Sequence, residues 1–367
     1  MSVLVLADDL TGLAEVACQA ARYGLGGPMA LTPAAPRGQP DTENNSRLFV
    51  NLGCRALPPA EAGERIRDAL AGPLKSDGGD RVFLKIDSTA RGPIPAMLAA
   101  LHAACPETTI PLCLVNPATG RSVREGRLHV KGDPVDRTEF ARDPLHPVTD
   151  ACLPRWLAHP ELRVERESRS PSGGRDVAIL DGETDADLAA ATRRWADSPV
   201  AAGTAAFGLA LLRSWSGSPA PAPAPQWTVP PNTLVVVGTK SPSGRALIED
   251  FGQTGRRAAP ASEGVQTAAP RILHSPAEDA SPEAVLAKLV RRTEEAVSRR
   301  RPDLLIILGG ETALAIIRAL RLDWARPVAY RDGLGWIEAR HEGRPLPIWL
   351  MPGAYYRRGL WRELATR

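Results

Sequence analysis

Val3-Leu4-Val5-Leu6-Ala7-Asp8-Asp9-Leu10-Thr11-Gly12 is a short apolar run that ends in two adjacent carboxylates and then turns into a helical pattern. After it, Leu13, Val16, Ala17, Ala20 and Ala21 recur at helical spacing, and Gly24 suits the helix stop. The same unit recurs along the chain. Leu48 to Leu52 precedes Gly53-Cys54-Arg55, Val82 to Ile86 precedes Asp87-Ser88-Thr89, and Leu112 to Val115 precedes Asn116-Pro117. Val177 to Leu180, Pro199 to Ala202, Leu234 to Val237 and Leu304 to Leu308 repeat it, each run followed by a polar or glycine-bearing turn. Short continuous apolar strands alternating with helices predict an α/β protein whose sheets are largely parallel and covered on both faces. In such sheets ligands sit beyond the carboxyl ends of the strands, where all of these polar turns fall.

A chain of 367 residues is too long for one ordinary core and predicts two domains. A Pro/Ala-rich stretch, from Pro219 to Pro225 and on through Pro230-Pro231, reads as a semi-rigid connector. The predicted division is a domain over 1–215, a linker over 216–231 and a second domain over 232–367, with an interdomain cleft. A second loose region, 252–282, reads as a surface excursion. The net charge of +3 gives no electrostatic case for nucleic acid or an anionic membrane. No apolar run reaches membrane-spanning length, and the amino terminus reads as a strand rather than a signal peptide. These features predict a cytoplasmic protein. The five cysteines, Cys18, Cys54, Cys105, Cys113 and Cys152, form no C-x-x-C pair and read as reduced thiols. The histidines have no metal-ligand spacing, so no protein metal site is expected. Only five of the 45 cationic side chains are lysines (Lys75, Lys85, Lys131, Lys240 and Lys288), which draws attention to each.

Five segments carry chemistry. Asp8 and Asp9 would repel each other on leaving a buried strand, so a cation, a hydroxyl or the helix amino terminus must offset them. The plainer alternative is that one of them, or Thr11, caps the helix. Lys85-Ile86-Asp87-Ser88-Thr89-Ala90-Arg91-Gly92 packs two cations, an acid and two hydroxyls into eight residues. In a strand Lys85 and Asp87 point to one side, and Arg91 can clamp a carboxylate with two parallel hydrogen bonds. The plainer reading is an internal Lys–Asp pair with a Ser/Thr cap. Asn116 to Arg121, Gly126, and Pro134 to Pro144 form a long irregular stretch, either functional or an Ω-loop packed for stability. In the second domain, Gly309-Gly310-Glu311-Thr312 opens a helix after a strand, and Gly238-Thr239-Lys240-Ser241 ends another. Such turns bring backbone N–H groups to phosphate oxygens. Neither matches the P-loop pattern, and no Gly-x-Gly-x-x-Gly follows the first strand, which disfavours a dehydrogenase.

Taken together, Ala7 to Gly12 and Lys85 to Gly92 resemble the two signature motifs of the four-carbon acid sugar kinases. Thr119-Gly120-Arg121, Gly126, Thr138 to Pro144, Asp181 with Thr184 to Leu188, Gly238-Thr239-x-Ser241 and Gly309 to Thr312 resemble later family segments in the same order. The resemblance implies an amino-terminal domain that binds a tetronate-like acid and a carboxy-terminal domain that binds ATP with Mg2+. It also implies phosphoryl transfer to a terminal hydroxyl across the cleft. On that footing Asp8, Asp9, Lys85 and Asp87 would be catalytic. Lys85 would meet the transferring phosphoryl, and one of the aspartates would orient or deprotonate the attacking hydroxyl. Arg55, Ser88 and Arg91 would bind the substrate, Arg91 or Arg55 taking its carboxylate. Thr239, Ser241, Gly309, Gly310, Glu311, Thr312 and Gly353 would hold the nucleotide. The partners implied are a small sugar acid and ATP, and the size admits a homodimer.

One departure matters. Family members end with a Lys-x-Gly-Gly-Phe-Gly-type loop, and the corresponding place here reads Met351-Pro352-Gly353-Ala354-Tyr355-Tyr356. Met351 brings no charge, and Ala354 and Tyr356 replace glycines. The alternative reading is therefore a non-catalytic acid-binding or regulatory protein on the same scaffold with a weakened ATP site.

Overall fold

The computed structural model describes residues 2–33, 46–71, 80–143, 145–167, 174–217, 220–239, 241–255, 270–274, 281–353 and 355–365. Lys75, Pro144, Lys240, Ala354 and most of 252–282 therefore lie outside the described residues. The chain forms two compact units, Met1–Ala220 and Pro221–Arg367.

The first unit is built on strands β1 (Val3–Ala7), β2 (Met29–Ala30), β3 (Arg47–Asn51), β4 (Arg81–Lys85), β5 (Ile110–Cys113), β6 (Arg121–Arg124), β7 (Arg127–Val130), β8 (Asp133–Pro134), β9 (Val164–Arg166), β10 (Val177–Ile179) and β11 (Val200–Gly203). Its helices are α1 (Leu10–Ala21), α2 (Pro59–Leu70), α3 (Ile94–Ala104), the single turn α4 (Leu153–Trp156), α5 (Asp185–Arg194) and α6 (Ala205–Trp215). Eight strands form one sheet in the order β2-β3-β1-β4-β11-β5-β10-β9, and every pair in it is parallel. All five residues of β1 are buried, as an apolar run covered on both faces must be. α1 packs against α6 and α2 against α3.

The order places β1 between β3 and β4, so the chain leaves β1 towards one side of the sheet and later returns to its other side. This is a topological switch point, where the connections diverge and leave a crevice at the carboxyl ends of the strands. The stretch read as irregular is more regular than the sequence reading had it. β6, β7 and β8 form a small antiparallel sheet, its first turn made by Glu125 (φ 51°) and Gly126 (φ 69°). Two successive positive φ values suit a tight two-residue hairpin.

The second unit contains β12 (Thr233–Val237), β13 (Arg271–His274), β14 (Leu304–Leu308), β15 (Trp324–Arg331), β16 (Leu334–His341) and β17 (Arg344–Met351), with α7 (Pro242–Gly255), α8 (Pro282–Arg299), α9 (Gly310–Ala319) and α10 (Leu360–Ala365). Its sheet runs β13-β12-β14-β17-β16-β15. The first four strands are parallel, and β15, β16 and β17 form an antiparallel meander. Trp227, Trp336 and Trp349 pack on one another, with ring centroids 4.9 to 6.0 Å apart. Trp227 falls within the 216–231 stretch yet is buried in this core. The connector therefore ends in an aromatic anchor, since an indole that buries so large an apolar surface cannot stay free in solvent. Among the described residues no helix is long and apolar enough to cross a membrane.

Candidate functional site

Three strand ends at the switch point of the first unit deliver the predicted residues to one place. Asp8 and Asp9 follow β1, Arg55 follows β3, and Lys85 and Asp87 lie at the end of β4. Backbone bonds fix the assembly. Asp8 N donates to Lys85 O at 3.1 Å, and Cys54 N and Arg55 N both donate to Asp8 O, at 3.0 and 3.2 Å. Buried Asn51 shapes the turn to Arg55 by accepting from Gly53 N at 3.0 Å and donating to Leu31 O at 2.8 Å.

Arg55 is the hub. Its Nε and Nη2 donate to Oδ2 and Oδ1 of Asp8 at 2.8 and 2.9 Å, and its Nη1 donates to Asp9 Oδ2 at 2.9 Å. Asp87 Oδ1 lies 3.7 Å from Arg55 Nη2. A fork matched to a carboxylate is the arrangement that lets a buried charge persist, and Asp8 is 1% exposed. The repulsion between Asp8 and Asp9 is thus answered by one shared guanidinium. The capping alternative holds as well: Asp9 Oδ1 accepts from Gly12 N at 2.8 Å at the start of α1, and Thr11 Oγ1 donates to Asp9 Oδ2 at 2.6 Å.

Asp87 organises the second motif. Arg91 donates to it through Nε and Nη2, both at 2.9 Å, and through Nη1 to Asp143 Oδ2 at 2.9 Å. Thr89 bonds the same carboxylate through its N–H and its hydroxyl. Thr89 rather than Ser88 is the hydroxyl bound here, and Ser88 is half-buried in the turn. Ala90, buried, takes φ 62° to bring Arg91 back over Asp87, and Trp156 Nε1 holds its carbonyl at 2.9 Å. Lys85 is 4% exposed and donates to Ile86 O at 2.9 Å. Gly12 is needed beside it. A Cβ there would lie 2.9 Å from Lys85 Nζ and 2.6 Å from Asp9 Oδ1.

The charges shape one another. Burial alone would raise the Asp87 carboxyl, but the Arg91 and Arg55 guanidiniums hold it well below the usual carboxylate range. Burial acts the same way on Asp9 and is likewise overcome, by Arg55 and then Lys85. Burial dominates at Asp8, pushing its carboxyl up against the pull of Arg55. Asp143 and Phe140 join the cluster although sequence reasoning gave neither a role of its own, and Thr11 and Thr89, read there only as cap candidates, join it as well. The only signal for Asp143 was its place in the long middle stretch, whose folding back over Arg91 is a tertiary fact.

In the second unit the predicted nucleotide residues also converge, at the ends of the adjacent strands β12, β14 and β17. Gly238 N donates to Leu308 O at 3.1 Å, and Gly309 N donates to Met351 O at 2.9 Å. Thr312 packs onto Gly238 so closely that a Cβ there would lie 1.8 Å from Thr312 Oγ1. Ser241 Oγ donates to Gly353 O and accepts from Gly244 N, capping the first turn of α7. Thr239 stands against Gly353, and Gly309 (φ 115°) starts α9. The first N–H groups of a helix have no partner within it, so the start of α9 at Gly310, Glu311 and Thr312 fits a phosphate group. Lys240 lies outside the described residues. Met351 is 2% exposed and belongs to the core of this unit. Tyr356 is also buried, and its hydroxyl donates to Asp250 at 2.8 Å.

The family model described as the sugar-binding N-terminal domain matches residues 3–211. The D-threonate kinase of Bordetella bronchiseptica is 30% identical over 264 residues, 69% of this chain and 63% of that protein. The 3-oxo-tetronate kinase of Methylobacterium radiotolerans is 30% identical over 238 residues, 57% of this chain and 54% of that protein. The D-erythronate kinase of Heliobacterium modesticaldum is 33% identical over 209 residues, 51% of this chain and 46% of that protein. The matched region thus spans about half to two thirds of these relatives' length. Two crystal structures share the fold over 97% of both chains. One is a Salmonella typhimurium LT2 protein that carries a provisional tRNA synthase name (TM-score 0.75, 21% identity), and the other is Haemophilus influenzae protein HI1011 (TM-score 0.70, 18% identity). With its signature segments assembled at one switch point and the sugar-binding model covering most of its first unit, the chain belongs to the four-carbon acid sugar kinase family.

Proposed function

We propose that this chain is an ATP-dependent kinase that phosphorylates a terminal hydroxyl of a four-carbon sugar acid. The observation that carries the reading is the convergence of Asp8, Asp9, Arg55, Lys85, Asp87 and Arg91 at the end of β1. The first unit would hold the acid and the second the nucleotide, at Thr239, Ser241, Gly309 to Thr312 and Gly353. The acceptor oxygen forms a bond to the γ-phosphorus as the bond from that phosphorus to the β–γ bridging oxygen breaks. ADP leaves, and the hydroxyl proton passes to a carboxylate or to water.

Such a transfer depends on positioning and charge more than on proton abstraction. All three carboxylates, Asp8, Asp9 and Asp87, already accept internal hydrogen bonds at both oxygens, so exposure rather than vacancy distinguishes them. Asp9 is the more exposed of the three, so it orients the attacking hydroxyl. Its lowered pKa suits an acceptor of a hydrogen bond better than a strong base. Lys85, an ammonium with three donors of which one is directed to Ile86 O, offers the others to the phosphoryl oxygens. Magnesium binds through one or two carboxylates and substrate phosphates. The exposed Glu311, at the start of α9, is the carboxylate of the second unit that would hold it.

Incubation with Mg-ATP and D-threonate, D-erythronate or 3-oxo-tetronate, followed by phosphorus NMR and ADP release, tests the reading. A phosphate ester of one acid is expected, lost in Asp9→Asn. Absence of ester with every acid, at a concentration where the acid binds, would overturn it. A second reading, a non-catalytic acid-binding protein, is favoured by the 351–356 loop, where Met351 and Tyr356 are both buried in the core. Acid binding without nucleotide binding in the same panel would establish that alternative.

A further inference from the structure

The reading just given leaves the acid's own carboxylate without an evident partner. Arg55 directs Nε, Nη1 and Nη2 to Asp8 and Asp9, and Arg91 directs Nε, Nη1 and Nη2 to Asp87 and Asp143. Each fork is filled by a carboxylate of the protein itself. A substrate carboxylate at either one would have to displace an aspartate that is buried against it, or share the few remaining N–H groups edge-on.

Among the described residues Arg121 is a cation near this cluster with no carboxylate on its fork and an Nε that lacks an acceptor. It follows Gly120 (φ 69°) and opens β6, pinned by reciprocal backbone bonds with Asn116 at 2.9 and 3.0 Å. The residue is 7% exposed, and its Nη1 donates to the Thr119 carbonyl. Its Nε is buried and has no hydrogen-bond partner. A buried charged N–H with no acceptor is expensive and rare, and an absent ligand is one of its few explanations. Phe140 carries both guanidiniums, Arg121 at 5.7 Å and Arg91 at 5.2 Å from the ring centroid, so one aromatic ring links Arg121 to the Arg91–Asp87 pair. A second marker is Glu15, three residues beyond Gly12 and so on the same face of α1. Its carboxyl is raised by burial and feels the charges of Lys85, Asp9, Arg121 and Asp87 together. One side chain thus registers Arg121 and the proposed reaction centre at once.

We propose that Arg121 binds the carboxylate of the sugar acid, with Nε and one Nη as the fork, while Arg55 and Arg91 are the structural clamps that hold Asp8, Asp9 and Asp87 in place. This assignment rests on the acid-kinase reading above. It places the acid end of the substrate at the β6 side of the crevice and leaves the hydroxyl end for Asp9 and Lys85.

The test compares wild type, Arg121→Gln and Arg121→Lys, first checked by circular dichroism and thermal midpoint. Isothermal titration uses D-threonate and D-erythronate with their carboxylate-free counterparts, threitol and erythritol, and steady-state assays vary the acid and Mg-ATP separately. Losing a charged fork to a carboxylate should raise KM for the acid about a hundredfold in Arg121→Gln. Arg121→Lys, which keeps the charge but not the fork, should raise it about tenfold. KM for Mg-ATP and the weak affinity for the tetritols should stay within threefold of wild type. An acid KM that stays within threefold in a folded Arg121→Gln, or equal losses for acid and tetritol, overturns the assignment while the kinase reading stands. If Arg121→Gln does not fold, Arg121→Lys decides: an unchanged acid KM overturns the assignment. Wild-type protein that binds none of D-threonate, D-erythronate and 3-oxo-tetronate overturns both.

Discussion

At the scale of single residues, the first motif solves an electrostatic problem by sharing. Asp8 and Asp9 can be neighbours because Arg55 reaches both, and it reaches them because the turn after β3 is bonded to the backbone of Asp8. Removing one partner of a buried pair costs about 3–5 kcal/mol, since the other is left uncompensated. Arg55→Ala should therefore lower unfolding stability by about 3 kcal/mol in urea titrations, and by more than the polar surface change Arg137→Ala, which should stay within about 0.5 kcal/mol. A second outcome concerns pH. The Asp87 carboxyl lies well below its ordinary value in the fold. Its contribution is therefore full above the unfolded pKa of about 4 and is lost as pH falls towards the folded value. Asp9 has the same sign and Asp8 the opposite one. Asp87→Asn should be less stable than wild type at pH 7. Below about pH 4 its stability should fall less steeply, by up to about 1.4 kcal/mol per pH unit. Parallel stability curves for the two proteins across pH 2.5–4.5 would show that Asp87 does not carry this linkage. The residues of this cluster were legible in sequence as charge-dense turns after apolar runs. The identity of the partners was not, because which guanidinium forks onto which carboxylate depends on strand order.

At the scale of elements, strands read from apolar runs land within two residues of their observed places. β1 and β14 coincide with the runs at Val3 to Ala7 and Leu304 to Leu308, while β5 ends two residues early, at Cys113. The shift has a simple cause: Leu114 and Val115 are buried like strand residues but have already left the ladder. The antiparallel meander in the second unit went unread, although Asp332-Gly333 and Glu342-Gly343 (φ 50°, 85° and 51°, 75°) mark both of its hairpins. Alternating strands such as Arg344–Met351 carry Pro345 and Pro347, which blur the pattern. The altered loop after β17 has a structural use of its own. The Tyr356 hydroxyl, Gly359 N and Arg362 all bond Asp250, at 2.8, 2.6 and 2.9 Å, and tie α10 to α7. Tyr356→Phe removes one of these donors and leaves the carboxylate Gly359 N and Arg362, so a loss of about 1–2 kcal/mol is expected. Asp250→Ala strips all of them and should cost more. Thermal melts of the two variants check the ranking, and an Asp250→Ala as stable as Tyr356→Phe would show that the knot does not anchor α10.

At the scale of the whole molecule, the proposal divides recognition between two compact units, each with its own polar turns at its strand ends. The residues proposed to bind the acid all lie before residue 144, and those proposed to hold the nucleotide all lie after 238. Each ligand stabilises the part of the protein that it touches, by about 2.7 kcal/mol at a hundred times its Kd. Slowed amide exchange should follow the same partition. With saturating D-threonate, protection should rise over 7–12, 51–55, 85–92 and 119–123, which includes the Arg121 turn. With Mg-ATP alone it should rise over 237–244, 309–313 and 351–353. Hydrogen-exchange mass spectrometry resolves both sets in the intact chain without any assumption about turnover, and so separates binding from catalysis. Protection by D-threonate over 309–313, or by Mg-ATP at 51–55 and 119–123, would mean that the ligands are not divided in this way. Protection by the acid with none by Mg-ATP would assign the buried Met351 and Tyr356 to a scaffold that has kept its acid site and given up its nucleotide.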